Sequence, residues 1–425
     1  MIALPVSSIR AHVRLHNPAL DSHHRMRIVV GIGLFALLAF ATVTTFVSAA
    51  WEIQSFQIAI YALIAVYVLA GIRKGREDLA GWVLPQLVCL IPLWGVLQLL
   101  THTTSSTFDT REAVLRWGAL AGVFFLSQIV GSVERVRRKM LSAFLIFATA
   151  MAVLCLTQLF TSDGNVLWIF PTGYPDVYAT FPSHNNYAQF VEIALPIALW
   201  RALREGWRSW WYAPAAGLLY GSVIGSASRM GTILCTAEIL AILALGLMKS
   251  SDQRVNLPTK TRAAILLAVP VFAAVFTLAV GWERVWQRFE EHDPYFFRKE
   301  FLISAVHMAE QRPLIGYGLG TFPAVYPKYA IVDSSSFYVL HAHNDWAEFA
   351  ADGGLPFLLL VLIPFAGAVP AAIRNPWGLG VLAVMLHGCV DFPFPRPAVA
   401  GWLFAMLGIL SWHMRSTVDR RDTPG

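Results

Sequence analysis

Long apolar runs separated by short polar segments recur along almost the whole chain of 425 residues. An apolar run of about 20 residues is long enough for a helix to cross roughly 30 Å of hydrocarbon. The runs predict helices near residues 28–48, 53–72, 80–100, 112–131, 141–160, 187–203, 210–227, 230–248, 263–282, 346–368, 376–391 and 398–414. The pattern therefore predicts an all-α, polytopic membrane helical bundle with about 12 transmembrane helices.

The composition agrees with a membrane protein and disagrees with a soluble domain. Hydrophobic residues make up 56% of the chain, charged residues only 14%, and the mean hydropathy is +0.57. The net charge of +6 does not indicate a nucleic-acid partner, because the basic residues lie in short clusters between the apolar runs. Each of the four cysteines lies within a predicted helix without CxxC spacing, which predicts buried free thiols.

The basic clusters also predict how the chain crosses the membrane. Most of the 32 basic residues fall in alternate polar segments, so the positive-inside rule places these segments and both termini in the cytoplasm. We therefore divide the chain into residues 1–282 with the first nine transmembrane helices, a large outward-facing loop at 283–345, and residues 346–425 with the last three helices and a cytoplasmic tail. The apolar spacing from Phe297 to Gln311 predicts a surface helix within the loop.

Two arginines are candidates for binding an anion. Arg229 stands between two apolar runs in GSASRMGT, where an arginine at mid-membrane would cost about 2.5–3.5 kcal/mol. It is either a snorkelling arginine in a short outer turn or an anion clamp. Arg298 opens the predicted surface helix, and its planar guanidinium suits phosphate oxygens, although a loop arginine is more often solvated.

His343 and Asn344 are candidates for acid–base chemistry. Histidine can accept a proton near neutral pH, and a position beside a helix N-terminus would aim backbone donors at an anion. The alternative is an N-capping Asn344 beside a bystander histidine. A metal site from His341, His343 and Asp345 is possible, but the spacing is not specific, and we expect no metal and no cofactor.

Two further segments have structural interpretations. The glycines of RPLIGYGLGTF lack the strand, the lysine and the acidic residue of a nucleotide-binding loop, so they predict a tight turn. His387 and Asp391, with the run FPFPRPAV, form the last outward turn, for which a structural role is at least as well supported as a catalytic one.

Four stretches together resemble the O-antigen ligase and polysaccharide polymerase superfamily of polytopic glycosyltransferases. They are GSASRMGT, RPLIGYGLGTFPAVYPKY, HAHNDWAEFAADGGLPFLLL and HGCVDFPFPRPAVAGW, and the resemblance extends from about Phe181 to Trp402. It implies metal-independent transfer of a glycan, with inversion, from a polyprenyl diphosphate donor to an acceptor hydroxyl. The location it implies is the periplasmic face of a bacterial inner membrane.

The resemblance also implies roles for individual residues. Arg229 and Arg298 would hold the diphosphate, His343 would be the base or a phosphate partner, and Asn344 would orient the site. Asp391 is a further candidate for substrate binding. Relatives often have Phe-x-Asn-Arg-Asn-His-Phe-Ala where this chain reads FPSHNNYA, so His184 occupies the position of an arginine. We keep His184 and Asn185 as candidates for donor binding.

Three functions remain open at this point. The expected acceptor is lipid A-core or a polysaccharide, but a protein O-oligosaccharyltransferase has the same motifs with a protein acceptor. A transporter of small solutes or inorganic carbon is the alternative outside the enzyme class. We disfavour it because the polar candidates collect at one membrane face and the chain shows no paired, interrupted apolar segments in matching halves.

Overall fold

The computed structural model describes residues 18–47, 49–72, 83–172, 176–204, 211–248, 296–331 and 338–418, together with single positions between 267 and 278. Its helices are α1 Pro18–Val43, α2 Ala50–Ile72, α3 Val83–Leu100, α4 Thr107–Gly131, α5 Glu134–Thr161, α6 His184–Arg204, α7 Tyr212–Gly225, α8 Arg229–Met248, α9 Phe296–Gln311, α10 Phe322–Val325, α11 Asp345–Arg374, α12 Leu379–His387 and α13 Pro397–Val418. Short 3-10 turns at Tyr326–Lys328 and Pro376–Gly378 lie before α11 and α12 respectively.

The prediction of an all-α membrane protein is confirmed. The exception is a small antiparallel hairpin of β1 Asn165–Val166 and β2 Phe170–Pro171, in the outer segment after α5. Within the described residues, five helices are long and apolar enough to cross a membrane, at Arg25–Val43, Ala50–Ala70, Thr107–Gly131, Glu134–Thr161 and Asp345–Arg374. The count of about 12 transmembrane helices stays a prediction, and most of the predicted helix at 263–282 lies outside the described residues.

Exposed apolar side chains on the outer helices agree with a lipid surrounding. Ile58, Val66 and Leu69 on α2 are examples, each more than half exposed. A surface of this kind would be costly in water, whereas in a bilayer it faces hydrocarbon tails.

The centre of the bundle is formed by α4, α6 and α13. Trp402 of α13 stacks on Phe144 of α5 with ring centroids 4.1 Å apart, and both rings are buried. A Cβ atom at Gly408 would collide with the carbonyl oxygen of Phe124, so glycine allows α13 to approach α4 closely. Small residues at such crossings are typical of helix packing in membranes.

Two predictions about the last helices were wrong in detail. The run at 346–368 was predicted as one helix, but Gly354 has φ +75° and ψ 174°, which breaks the helical backbone of α11. The run at 376–391 contains only a nine-residue α-helix, because α12 ends at His387 and the chain turns at Gly388. Cys389 is therefore exposed in this turn and Cys89 is exposed on α3, so the expectation of burial fails for these two thiols, while Cys155 and Cys235 are buried.

The surface helix predicted within the large loop coincides with α9. Its apolar side chains Phe301, Ala305 and Met308 form a small separate core with Tyr326 and with Ala351 of α11. This contact fixes the start of α9, where Arg298 stands, against the start of α11, which follows His343.

The division of the chain at 282 and 345 stays a prediction, since residues 283–295 and 332–337 lie outside the described part.

The glycine-containing turn between α9 and α10 is fastened to α3 and α11. Gln98 of α3 donates through Nε2 to the carbonyl oxygens of Ile315 and Asp352, and its Oε1 accepts from the backbone N–H of Leu319. Gly316 and Gly318 have positive φ, as the prediction of a tight turn requires. The turn therefore closes over the end of the bundle at which α3 ends and α11 begins.

Candidate active site

A cavity of about 400 Å³ opens among the N-terminal ends of α6, α9 and α13. Its polar lining includes Asp176, Ser183, His184, Asn185, Asn186, Arg298, His343, Asp391 and Arg396. Five of the seven residues predicted for the site thus meet in one cavity, although they come from four separate parts of the sequence.

His343 is held in an uncommon backbone conformation. Its φ of +52° is in the left-handed region, which turns the chain just before α11 begins. The imidazole stacks on Phe301 of α9 with centroids 6.2 Å apart and meets the edge of Phe392 at 4.8 Å. These two rings fix the plane of the imidazole within the cavity wall.

Asp391 pairs with His343 at the bottom of the cavity. The Nδ1 atom of His343 lies 3.3 Å from Oδ1 of Asp391, within ion-pair distance although off the line of an ideal hydrogen bond. Burial by itself would raise the pKa of the Asp391 carboxyl, but the contact with His343 and the positive charge of Arg298 outweigh it and lower the pKa to about 2. Asp391 is therefore ionised at neutral pH.

Arg298 lies beside this pair. Its Nη1 atom donates a hydrogen bond of 3.0 Å to the carbonyl oxygen of Val390, the residue before Asp391. The guanidinium is thus anchored to the same loop that carries the carboxylate. Arg396 brings a second positive charge to the cavity from the N-terminal side of α13.

Asn344 does not line the cavity, and it supports the site through hydrogen bonds to the backbone. Its Oδ1 accepts from the backbone N–H of Ala347 at 3.0 Å, so it is the N-cap of α11, as the structural alternative held. Its Nδ2 donates to the carbonyl oxygen of Cys389 at 2.7 Å, and the N–H of Asp345 donates to Gly388 at 2.9 Å. These bonds join the start of α11 to the turn that carries Asp391.

Arg229 does not line the cavity. It lies half-buried at the first turn of α8. The residue before it, Ser228, donates through Oγ to Oδ1 of Asn185 at 2.8 Å, and Asn185 does line the cavity. This bond links the start of α8, where Arg229 lies, to the cavity lining. His184 and Asn185 were predicted to precede a helix at 187–203, but they belong to the first turn of α6, which begins at His184.

The sequence interpretation missed Arg396 and the partner of His387. Arg396 belongs to the run FPFPRPAV, whose prolines prevent a helix there. This run was the sequence signal that could have identified Arg396 as a site residue. His387 is fully buried, and its Nδ1 lies 2.7 Å from Oε1 of the equally buried Glu192 on α6. The two side chains are nearly 200 residues apart in the sequence, so no local pattern reveals the pair.

The guanidinium groups of the cavity can bind an anionic ligand. Arg298 and Arg396 share the lining with two histidines, His184 and His343, and with the carboxyl groups of Asp176 and Asp391. Within the described ranges, no group of three or more His, Cys, Asp or Glu side chains is arranged to hold a metal ion.

One comparison with known proteins bears on this geometry. Residues 214–362 match a family model described as O-antigen ligase, and the matched stretch contains Arg229, Arg298, His343 and Asn344. No curated protein matches the chain. The family match confirms the resemblance to the O-antigen ligase and polysaccharide polymerase superfamily that the sequence motifs indicated.

Proposed function

We propose that the protein is a glycosyltransferase that moves a glycan from a polyprenyl diphosphate donor to an acceptor hydroxyl at the periplasmic face of the bacterial inner membrane. The observation that carries this proposal is the convergence of Arg298, His343 and Asp391 on one cavity. The three residues come from different elements, and only their joint position provides both a base and a cationic site.

His343 is the proposed base. With Nδ1 toward Asp391, its Nε2 is the atom that accepts the proton of an acceptor hydroxyl. The carboxylate of Asp391 then stabilises the imidazolium that forms, in the manner of a buried acid behind a catalytic histidine. The low pKa of Asp391 supports this role, because the carboxyl is ionised when the imidazole becomes charged.

Arg298 and Arg396 are the proposed diphosphate ligands, and His184 of the same lining is a further candidate. Arg229, outside the lining, would have to approach the diphosphate when the donor binds. As the acceptor oxygen attacks the anomeric carbon, the bond from that carbon to the diphosphate oxygen breaks and its electron pair leaves with the diphosphate. A guanidinium stays charged at any physiological pH and offers paired donors to the oxygens on which this charge develops. Attack opposite the leaving group inverts the anomeric centre.

The membrane arrangement belongs to the same proposal. We place both termini in the cytoplasm and the cavity on the periplasmic side, with about 12 transmembrane helices. The acceptor is lipid A-core, a growing polysaccharide or a protein, and the polyprenyl tail of the donor lies in the surrounding lipid. In this arrangement α9 would lie beside the diphosphate at the membrane surface.

Single substitutions test the site. Purified His343→Ala, Arg298→Ala and Arg229→Ala variants are given a lipid-linked oligosaccharide and lipid A-core, and product is measured on gels. Loss of a general base lowers the rate by about 10²–10⁴-fold, and loss of a charge-stabilising donor by about 10²–10³-fold. Arg312→Ala is the matched control, because Arg312 contacts the carbonyl oxygen of Thr103 and the ring of Tyr317 outside the cavity.

Wild-type turnover by correctly inserted His343→Ala and Arg298→Ala variants would show that the site is elsewhere. The acceptor class is read from the same assay with three acceptors: lipid A-core, a pilin-like protein and unmodified lipid-linked repeat units. Uptake of a solute into proteoliposomes without any glycan transfer would instead favour a transporter.

A further inference from the structure

A second cavity of about 230 Å³ lies beside the proposed active site. The charged and polar side chains in its lining are Arg116 of α4, His341, and Glu348 and Asp352 of α11. Phe349, Phe357 and Phe394 supply apolar walls. The mechanism proposed above uses none of these side chains.

The two cavities are separated by one layer of side chains. His343 and Phe392 line the first cavity, whereas His341 and Phe394 line the second. The ring of His341 stacks on Phe392 with centroids 4.5 Å apart, which forms the partition. The two cavities are therefore direct neighbours.

The carboxylates of the second cavity are only partly satisfied. Glu348 is fully engaged: Oε1 lies 3.0 Å from Nδ1 of His341, and Oε2 accepts from the N–H of Ala342 at 2.8 Å. Asp352 is 4% exposed, and its Oδ2 accepts from the N–H of Gly320 at 2.7 Å. Its Oδ1 is buried without a hydrogen-bond partner among the residues that the structure describes. A buried acceptor of this kind is costly unless a ligand or water donates to it.

Arg116 faces these carboxylates from the neighbouring helix. It interacts electrostatically with Glu348 and Asp352. No ion pair joins it to either residue within the described part of the chain, so a gap remains between the guanidinium and the two carboxyl groups. Groups that both donate and accept hydrogen bonds fit such a gap, because they can bond the arginine on one side and the carboxylate on the other.

We propose that this second cavity is a binding subsite for one pyranose ring of the transferred or accepting glycan. The proposal rests on the proposed function. A sugar ring carries hydroxyl groups on its edge, which can donate to the carboxyl group of Asp352 and accept from Arg116. Its C–H faces are apolar and pack on the phenylalanine rings, in line with pockets that combine apolar walls with a few polar groups.

Other ligands fit the cavity less well. An anion fits less well because it would lie against the carboxyl groups of Glu348 and Asp352. A metal ion fits less well because the described residues form no group of three or more His, Cys, Asp or Glu side chains that could coordinate it. Ordered water also suits a polar cavity of this size, so occupation by water alone is an outcome that the test must separate.

The test closes the cavity after the protein has folded. Leu340 lines the cavity and is 53% exposed, so it marks the open side. In a background with Cys89→Ser and Cys389→Ser, Leu340→Cys is labelled with a bulky methanethiosulfonate reagent. Tyr338→Cys, labelled in the same way, is the matched control, because Tyr338 is exposed but lies outside the cavity lining.

Two reactions are followed with each labelled protein. One is transfer from a lipid-linked oligosaccharide to lipid A-core, and the other is hydrolysis of the same donor without an acceptor. We expect labelled Leu340→Cys to raise one KM by about tenfold or more, the effect of losing hydrogen bonds to charged groups. A higher KM for lipid A-core with normal donor hydrolysis identifies a sugar of the acceptor. A higher KM for the donor in both reactions identifies a sugar of the donor.

Asp352→Asn is a second variant, which we expect to keep the fold. The amide oxygen can still accept from Gly320, while an NH2 group that only donates replaces the second carboxyl oxygen. We expect the same KM to rise by about tenfold at an unchanged thermal unfolding midpoint. If both proteins keep the kinetics of the control, the cavity holds water only and the subsite is disproved. Failure of the proposed function itself is distinct, because the wild type would then consume no donor in either reaction.

Discussion

At the scale of single residues, the site depends on side chains whose partners are remote in sequence. His343 acquires its orientation from Phe301, Phe392 and Asp391, which lie on two other elements. The residue types were visible in the sequence, since a histidine before a capped helix and an arginine at the start of another are recognisable. The pairing of His343 with Asp391 was not, because it depends on how the turn after α12 folds back on the start of α11.

Asp391 makes a pH-dependent contribution to stability. Its pKa is about 2 in the folded protein and 3.8 ordinarily. A carboxyl with a lowered pKa stabilises the fold above its unfolded pKa, and this stabilisation disappears as the pH falls through the folded pKa. We expect Asp391→Asn to lose about 2 kcal/mol relative to the wild type near pH 5, and this difference to vanish as the pH approaches 2.

Thermal unfolding of the two proteins in detergent, measured at several pH values in this range, checks this expectation. Other carboxyls titrate in both proteins, so the difference between their unfolding midpoints isolates Asp391. A difference that stays constant as the pH falls would mean that the carboxyl is not held by charge in the folded protein.

At the scale of elements, the glycine-containing turn illustrates what a sequence pattern can predict. The spacing of Gly316, Gly318 and Gly320 predicted a tight turn, and all three residues have positive φ. Which surface the turn covers was not predictable. It rests on the backbone of α11 at Asp352 and Gly353, and Gln98 of α3 holds it from the other side.

The close approach at Gly316 makes a sharp prediction. A Cβ atom there would collide with the carbonyl oxygen of Asp352, and the φ of +68° is strained for any other residue. We expect Gly316→Ala to lower the thermal unfolding midpoint and to abolish activity, because the turn cannot seat on α11.

Gly33→Ala in α1 is the control for this substitution. The nearest neighbour of its added Cβ is the flexible end of Leu63 at 3.3 Å, and alanine favours a helix over glycine. This variant should match the wild type in both measurements. Equal behaviour of the two alanine variants would show that the turn does not need its close contact with α11.

At the scale of the whole molecule, the site is formed where separate parts of the chain meet. The start of α6, the start of α9, the residues before α11 and the turn before α13 all contribute to one cavity. A bundle of apolar helices fixes these ends rigidly, while the polar groups remain at one end of the bundle. This separation is why a few polar residues in a hydrophobic chain can act together.

The predicted topology can be tested on the same scale. Leu314, in the glycine-containing turn, is 74% exposed and should face the periplasm. In the background lacking Cys89 and Cys389, Leu314→Cys should react with a membrane-impermeant maleimide in cells whose outer membrane has been permeabilised. Arg138→Cys, near the start of α5 and within the predicted cytoplasmic segment, should react only after the inner membrane is broken.

Reaction of both cysteines from the same side would contradict an odd number of membrane crossings between these positions. Protection of Leu314→Cys in permeabilised cells would place the cavity in the cytoplasm, which would exclude a periplasmic transfer reaction.

The sequence by itself determined the class of fold, the position of most helices and the identity of the principal charged residues. These properties follow from local physics. An apolar run must form a helix in lipid, and a charged side chain within an apolar run is costly unless it is paired or functional. The break in α11 at Gly354 and the early end of α12 were not determined in this way, because both depend on how the chain packs around its glycines.

Only the tertiary structure decided which polar residues share a cavity. It shows that Asp391 pairs with His343 and that Arg396 lines the same cavity, whereas Arg229 does not. It also shows a second cavity, lined by Arg116 and Asp352. The reason is that these contacts join residues separated by tens to hundreds of positions. No periodicity along the chain encodes such distances, and only the packing of the helices brings the residues together.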